Sequence, residues 1–116
     1  MNSPELARHI VDFCLSKKAH DVTLMDVRNI SGVTDFFICC HGDAEPQIRA
    51  IYEAVEAGAK KLGQSVWHKE GTDSLNWVLL DYVDVVVHIF KRETREFYGL
   101  ERLWGDAKTE TFNEDV

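Results

Sequence analysis

The hydrophobic pattern opens with a helical stripe formed by Leu6, Ile10, Phe13 and Cys14. These positions recur three or four residues apart, which is the spacing of one face of an α-helix. Ser3, followed by a proline, is typical of a helix start, so Ser3 is the predicted N-cap. Residues 22–27 (VTLMDV) then alternate between polar and apolar positions, which predicts a strand.

The next segments are an apolar run and a second helical stripe. Residues 35–40 (DFFICC) are apolar along most of their length, as expected for a strand that is covered on both faces and lies centrally in a sheet. A stripe over residues 48–62 predicts the second helix. Asp43 is its predicted N-cap and Gly63 its C-terminal stop.

The second half of the chain predicts three strands, over residues 65–71, 76–80 and 84–90. The short separation of the last two predicts an antiparallel hairpin. We therefore predict a single α/β domain with a mixed five-stranded sheet flanked by helices. Short helical turns around Gly99 close this domain at residue 106, and residues 107–116 are predicted to form a polar, mobile tail.

Composition limits the classes of partner. The chain has 116 residues, with 20 acidic and 13 basic side chains and a formal charge of −7. Such a chain repels nucleic-acid phosphates, so no direct DNA binding is expected, whereas a basic protein is a suitable partner. The three cysteines form no disulfide pattern, and no segment resembles a signal or a membrane span, so a cytosolic location is predicted.

Asp81 and Asp84 interrupt the most apolar run, VLLDYVDVVVHIF, and raise three alternatives: a turn, a partner contact or an acid pair in catalysis. Asp favours hairpin corners because its carboxylate accepts hydrogen bonds from nearby backbone amides. No companion base, metal ligand or phosphate-binding loop is evident. We therefore interpret both as hairpin residues that also offer charge to a partner, while Trp77 and Tyr82 beside them are candidates for exposure.

Other candidate sites are weaker. His88 shares a strand face with Val86 and Phe90, which favours a partly buried structural histidine. Cys39, Cys40 and His41 cannot converge on one metal because successive strand residues point to opposite faces, so no metal site is expected. The SGVTDFFI segment resembles a nucleotidyltransferase active site, but its single Asp35 cannot perform two-metal chemistry.

Several separated motifs together resemble the ribosomal silencing factor, or Iojap, family: DVRNISGVTDFFI, the EG at Glu70, WVLLDYVDVVVHIF and REFYGLERLWGDA. The resemblance covers residues 1–106. It implies a nucleotidyltransferase-like fold that acts without catalysis or cofactor. It also implies a protein that binds the L-fourteen protein of the large ribosomal subunit, blocks joining of the small subunit and represses translation when nutrients are scarce.

The resemblance also places the partner contacts in the predicted hairpin, residues 76–90, and in REFYGLERLWGDA, residues 95–107, which we call the closing segment. The predicted contact residues are Trp77, Leu79, Asp81, Tyr82, Asp84, His88, Tyr98, Leu100, Glu101 and Trp104. The chain departs from the family where Val83 replaces a usual glycine and where Gly99 replaces a larger or acidic residue. If the hairpin corner requires a positive φ, Val83 will be strained there.

Two other functions and an assembly state are left open. A cryptic nucleotidyltransferase would use Asp35 with Asp81 or Asp84, and a large-subunit assembly factor would need the same docking face as a silencing factor. A homodimer that buries Trp104 or the hairpin would compete with ribosome binding.

Overall fold

The computed structural model describes residues 1–113 and places two long helices on one side of a twisted sheet. The helices are α1 (Ser3–Ser16), α2 (Glu45–Lys61) and the short α3 (Arg92–Tyr98), followed by a 3₁₀ turn (Leu100–Trp104). The strands are β1 (His20–Asp26), β2 (Phe36–Gly42), β3 (His68–Glu70), β4 (Trp77–Asp81), β5 (Val85–Lys91) and β6 (Lys108–Phe112).

The described residues form one sheet of six strands in the order β3-β4-β5-β2-β1-β6. β2 and β5 are parallel and the other neighbours are antiparallel, which confirms a mixed sheet with β2 near its centre. The predicted count of five strands is wrong, because residues 108–112 pair with β1 as β6 instead of forming a mobile tail. The end of the predicted tail, residues 114–116, lies outside the described residues.

Both predicted helix caps are replaced by neighbouring residues. The Asn2 side chain caps α1 by accepting a hydrogen bond from the Glu5 amide at 2.9 Å, while the Ser3 hydroxyl donates to Asp35 at 2.7 Å. Ala44 holds the N-cap position of α2 without a side-chain bond. Asp43 instead binds His20 and Arg92, because its carboxylate lies between these two donors.

The sheet separates two cores of unequal size. The larger core lies between the sheet and helices α1 and α2, and includes Ile10, Ile38, Ile51 and Ile89. The smaller core lies on the opposite face around Phe90 and Met25, where, among residues 1–113, the short α3, the 3₁₀ turn and Ala107 provide its cover. This incomplete cover leaves apolar side chains of the second face near the surface.

The β4–β5 hairpin confirms the turn interpretation of Asp81. Its carboxylate accepts a hydrogen bond from the Val83 amide at 2.7 Å, and the Asp84 carbonyl accepts bonds from the Asp35 and Phe36 amides. Val83 has φ = +73° and its side chain is 53% exposed. The β-branched residue therefore occupies a backbone conformation that favours glycine.

Val83→Gly is expected to raise the free energy of unfolding by about 1 kcal/mol. Removing Cβ relieves the left-handed strain of 1–2 kcal/mol, and the greater backbone freedom of glycine in the unfolded chain offsets part of the gain. Chemical denaturation would measure the change. Val33→Gly is the matched control, because Val33 is also exposed but lacks a positive φ, and this variant should not be stabilised.

Candidate partner-binding face

The second face of the sheet carries a cluster of aromatic rings centred on Trp77. The Trp77 ring lies 4.9 Å from the Tyr98 ring and 5.0 Å from the Phe90 ring, measured between centroids. Phe37 similarly lies 5.1 Å from Trp104. β4, β2 and the closing segment thus contribute to one surface, which we call the aromatic face and define by Trp77, Leu79, Tyr98, Leu100 and Trp104.

Arg95 fixes the closing segment against the sheet. Its side chain is only 12% exposed, and its guanidinium donates to Thr23 Oγ1 at 3.1 Å, to the Asp21 carbonyl at 2.9 Å and to Glu101 at 2.7 Å. It also lies 3.0 Å from His41 Nδ1. Burial and the positive charge of Arg95 lower the pKa of His41, so the neutral ring can accept this bond.

His88 supports Trp77 from beneath. The Trp77 indole donates from Nε1 to His88 Nδ1 at 3.0 Å, and this bond places the histidine proton on Nε2 because an indole cannot accept. Within residues 1–113 that Nε2 is buried without a partner. Burial lowers the pKa of His88 to about 4, which confirms a buried histidine that is neutral at physiological pH.

Acid is expected to destabilise the fold through His88. The pKa is about 4 in the folded chain and 6.5 as the ordinary value, so the unfolded chain binds the proton first as pH falls. The contribution of neutral His88 to the free energy of unfolding is therefore complete above about pH 6.5. It is lost as the pH falls from there to about pH 4, and the total loss is about 3 kcal/mol.

The measurement for this prediction compares denaturant unfolding of the wild type and His88→Gln across that pH range. Glutamine can still accept from the indole but does not titrate. The variant should therefore lose less stability than the wild type as the pH falls, and parallel curves would contradict the assignment.

A cleft opens beside the aromatic face, next to the β4–β5 turn. It has a volume of about 640 Å³, and Phe37, Trp67, Val86 and Trp104 form much of its wall. Polar groups enter it only at Ser31, Thr34 and Asp81 among the described lining residues. An apolar cleft of this size with a few polar groups is typical of a binding site.

The structure brings together only some of the predicted contact residues. Trp77, Leu79, Leu100 and Trp104 are half-buried on the aromatic face, Tyr98 is 56% exposed there, and Asp81 and Asp84 lie at the adjacent turn.

The other three predicted contacts are buried or bound to another side chain of the molecule. His88 is buried beneath Trp77, and Glu101 is bound to Arg95. The predicted exposure of Tyr82 is wrong, because its ring packs into the larger core on the α2 side. Burial raises the pKa of its hydroxyl to about 12.

Sequence reasoning missed several exposed apolar residues around this surface. Trp67 is 72% exposed, Val33 88%, Phe97 81% and Leu103 73%. Trp67 precedes a three-residue edge strand whose side chains are all exposed. The polar residues that follow that tryptophan, His68, Lys69 and Glu70, were the only sequence feature that indicated a lack of helix or sheet cover.

Two polar residues of the segment that resembles a nucleotidyltransferase site, Asp35 and Ser31, make structural hydrogen bonds. Asp35 accepts from Ser3, and the Ser31 hydroxyl accepts from the amides of Val33 and Thr34 at 3.1 and 3.3 Å, closing its own loop. Across residues 1–113, no group of three or more His, Cys, Asp or Glu side chains could hold a metal ion. Nor is any helix in this range long and apolar enough to span a membrane.

Comparisons with known proteins agree on one family. The family model described as "Ribosomal silencing factor during starvation" matches residues 1–116. The ribosomal silencing factor of Halalkalibacterium halodurans is 40% identical over 94% of this chain and 93% of its own length. That of Bacillus subtilis is also 40% identical, over 92% and 91%. The crystal structure of a Chromobacterium violaceum protein has a TM-score of 0.88 at 30% identity, covering 90% of this chain and 88% of that one.

Proposed function

The chain belongs to the ribosomal silencing factor family, and we propose that it docks its aromatic face on the L-fourteen protein of the large ribosomal subunit. In that position it would sterically exclude the small subunit and repress translation when nutrients are limiting. It would act by binding, without catalysing a reaction. Family membership supports the ribosome as target, while the docking face and the steric block are proposals.

The observation that carries this proposal is the contact between Trp77 and Tyr98. These residues lie in separate signature segments, yet their rings are 4.9 Å apart on the less covered side of the sheet. Aromatic side chains are enriched among the residues that dominate binding energy at protein interfaces. A standard interface needs about 800 Å² from each partner, which a hairpin and the adjacent helical turn can supply.

Charge supports a basic partner. The chain has a formal charge of −7, and Asp81 and Asp84 lie at the edge of the aromatic face. Ribosomal proteins are mostly basic, so complementary fields would accelerate encounter with one of them and disfavour bare RNA. The affinity should therefore fall as salt increases.

Tyr98→Ala is expected to weaken binding to the large subunit by about 30-fold. This exposed ring can be removed without opening a cavity, and truncation of an aromatic anchor typically costs 2 kcal/mol or more. Sedimentation of labelled protein with purified large subunits would measure the affinity.

His9→Ala is the matched control for Tyr98→Ala. His9 is an exposed ring on α1, on the opposite side of the sheet, and its loss should leave the affinity unchanged. Equal effects of the two substitutions would place the docking surface elsewhere.

A homodimer through the aromatic face also stays a prediction, and sedimentation at increasing protein concentration tests it.

A further inference from the structure

We infer that the cleft beside the β4–β5 turn binds an arginine side chain of the basic partner. The inference rests on the proposed function, because this arginine would belong to the protein on which the aromatic face docks. It adds a defined pocket and a defined partner side chain to a surface that otherwise offers half-buried apolar side chains and the exposed Tyr98 ring.

The walls of the cleft suit a planar group that can stack on aromatic rings. Two indoles, Trp67 and Trp104, and the Phe37 ring line it, and Val33 and Val83 lie at its mouth, 88% and 53% exposed. A guanidinium is planar and stacks on aromatic faces, where the ring quadrupole attracts its charge. Apolar side chains this exposed lose contact with water only when a partner covers them.

Two polar groups of the cleft, Asp81 and Thr34, have hydrogen-bonding capacity that the described residues leave unused. Asp81 Oδ1 accepts from the Val83 amide, whereas Oδ2 receives no hydrogen bond from any described residue. Thr34 is 95% buried, and its hydroxyl lacks a partner within residues 1–113. A buried hydroxyl left unsatisfied is destabilising, and it needs an explanation in terms of strain, solvent or a ligand.

Arginine satisfies these groups better than the alternatives. Its guanidinium offers five donors in a rigid fork, enough for both Asp81 and Thr34, whereas the lysine ammonium is compact, strongly hydrated and lacks a flat face. A neutral apolar ligand would desolvate the Asp81 carboxylate without compensation. None of the described lining residues is basic, so the carboxylate has no cation of its own in the cleft.

The cleft is continuous with the proposed docking surface. Trp104 belongs to both, since it lines the cleft and forms part of the aromatic face. Its ring packs at 5.1 Å on Phe37, which reaches the cleft from β2. A partner seated on the aromatic face can therefore insert one side chain into the cleft without a second docking event.

The test titrates the intact ¹⁵N-labelled protein with N-acetyl-L-arginine N-methylamide and follows its indole and amide NMR signals. We expect saturable shifts at the Trp67 and Trp104 indoles and at the Thr34 and Val83 amides, with smaller changes at Trp77. The citrulline analogue has nearly the same shape without charge and should bind at least tenfold more weakly. The lysine analogue should also bind more weakly.

Three substitutions test the named groups. Asp81→Asn keeps an acceptor for the Val83 amide but removes the charge, and it should raise the dissociation constant for the arginine probe about tenfold. Trp67→Ala should raise it two- to fivefold, as expected for loss of one cation–π contact. Thr34→Val should weaken probe binding and at the same time raise the melting temperature, because it removes an unsatisfied buried hydroxyl.

Shifts spread over the acidic surface, or equal binding of the arginine and citrulline probes, would overturn the inference. A Thr34→Val variant that is stabilised but binds the probe as the wild type does would also contradict it. The proposed function fails separately: if Tyr98→Ala weakens binding to the large subunit while the arginine probe does not enter the cleft, only the cleft assignment is lost.

Discussion

Arg95→Ala is expected to lower the free energy of unfolding by about 3 kcal/mol, at the lower end of the cost of breaking a buried ion pair, because the Arg95 and Glu101 side chains are 12% and 30% exposed. The guanidinium connects α3 to β1, β2 and Glu101. Its removal leaves the partly buried Glu101 carboxylate without its cation and takes one donor each from the Thr23 hydroxyl and the Asp21 carbonyl. Denaturant unfolding monitored by fluorescence would measure the loss.

Arg92→Ala provides the matched control. Arg92 is on the same helix and pairs with Asp43, but its side chain is half-exposed, and exposed ion pairs add little to stability. The control should unfold close to the wild type. If both variants lose the same stability, the closing segment is not held by the Arg95 network.

Arg95→Ala should also disturb the docking surface. α3 carries Tyr98, and the 3₁₀ turn that follows carries Trp104. Once Arg95 is lost, Tyr98 is no longer held beside Trp77, nor Trp104 beside Phe37. Arg95→Ala should therefore weaken binding to the large subunit even under conditions in which most of the chain remains folded.

Gly71→Ala is the second substitution with a large expected effect, a loss of about 3 kcal/mol or more. Gly71 has φ = +81°, and a Cβ built there lies 1.9 Å from the carbonyl oxygen of Trp77. Because the clash is with backbone, it can be relieved only by moving β3 away from β4. The start of β4, and with it Trp77, should lose order.

Gly63→Ala is the matched control, because it measures the cost of a positive φ in alanine without the backbone clash found at Gly71. Gly63 ends α2 with φ = +79°, as predicted, but a Cβ there has no neighbour within 4 Å. Its substitution should cost only about 1 kcal/mol, the penalty for a left-handed alanine. Equal losses for Gly63→Ala and Gly71→Ala in thermal unfolding would show that the close approach to Trp77 is relieved without cost.

Periodicity predicted those elements whose sequences carry their own hydrophobic pattern. β2 is apolar because both of its faces are covered, and α1 and α2 each bury one stripe. β6 was missed because it is an edge strand with the sequence KTETF, whose residues are exposed except for the half-buried Phe112. Such a strand is stabilised by pairing with β1 rather than by its own apolar residues.

The helix caps were misplaced for a related reason. Asn and Ser cap helices almost equally well, so the sequence alone could not choose Asn2 over Ser3. The choice depends on Asp35, more than thirty residues away, which takes the Ser3 hydroxyl. Asp43 is likewise drawn from the cap of α2 to His20 and Arg92.

The candidate face was predictable only as a set of aromatic positions. The sequence indicated Trp77, Tyr98 and Trp104, but it could not show that Tyr82 turns toward α2. Arg95 was not predicted, because its partners in β1 are more than seventy residues away along the chain. The resemblance placed Glu101 and His88 among the partner contacts, because the sequence does not show that Arg95 and Trp77 bind them within the chain.

The most direct test of the central claim is light scattering of purified small and large ribosomal subunits as they join, with and without this protein. The proposed function predicts that joining falls in proportion to occupancy of the large subunit, and that Tyr98→Ala weakens occupancy and inhibition together while His9→Ala affects neither. Joining that proceeds unchanged at full occupancy would contradict a steric block, and would favour a role in assembling the large subunit.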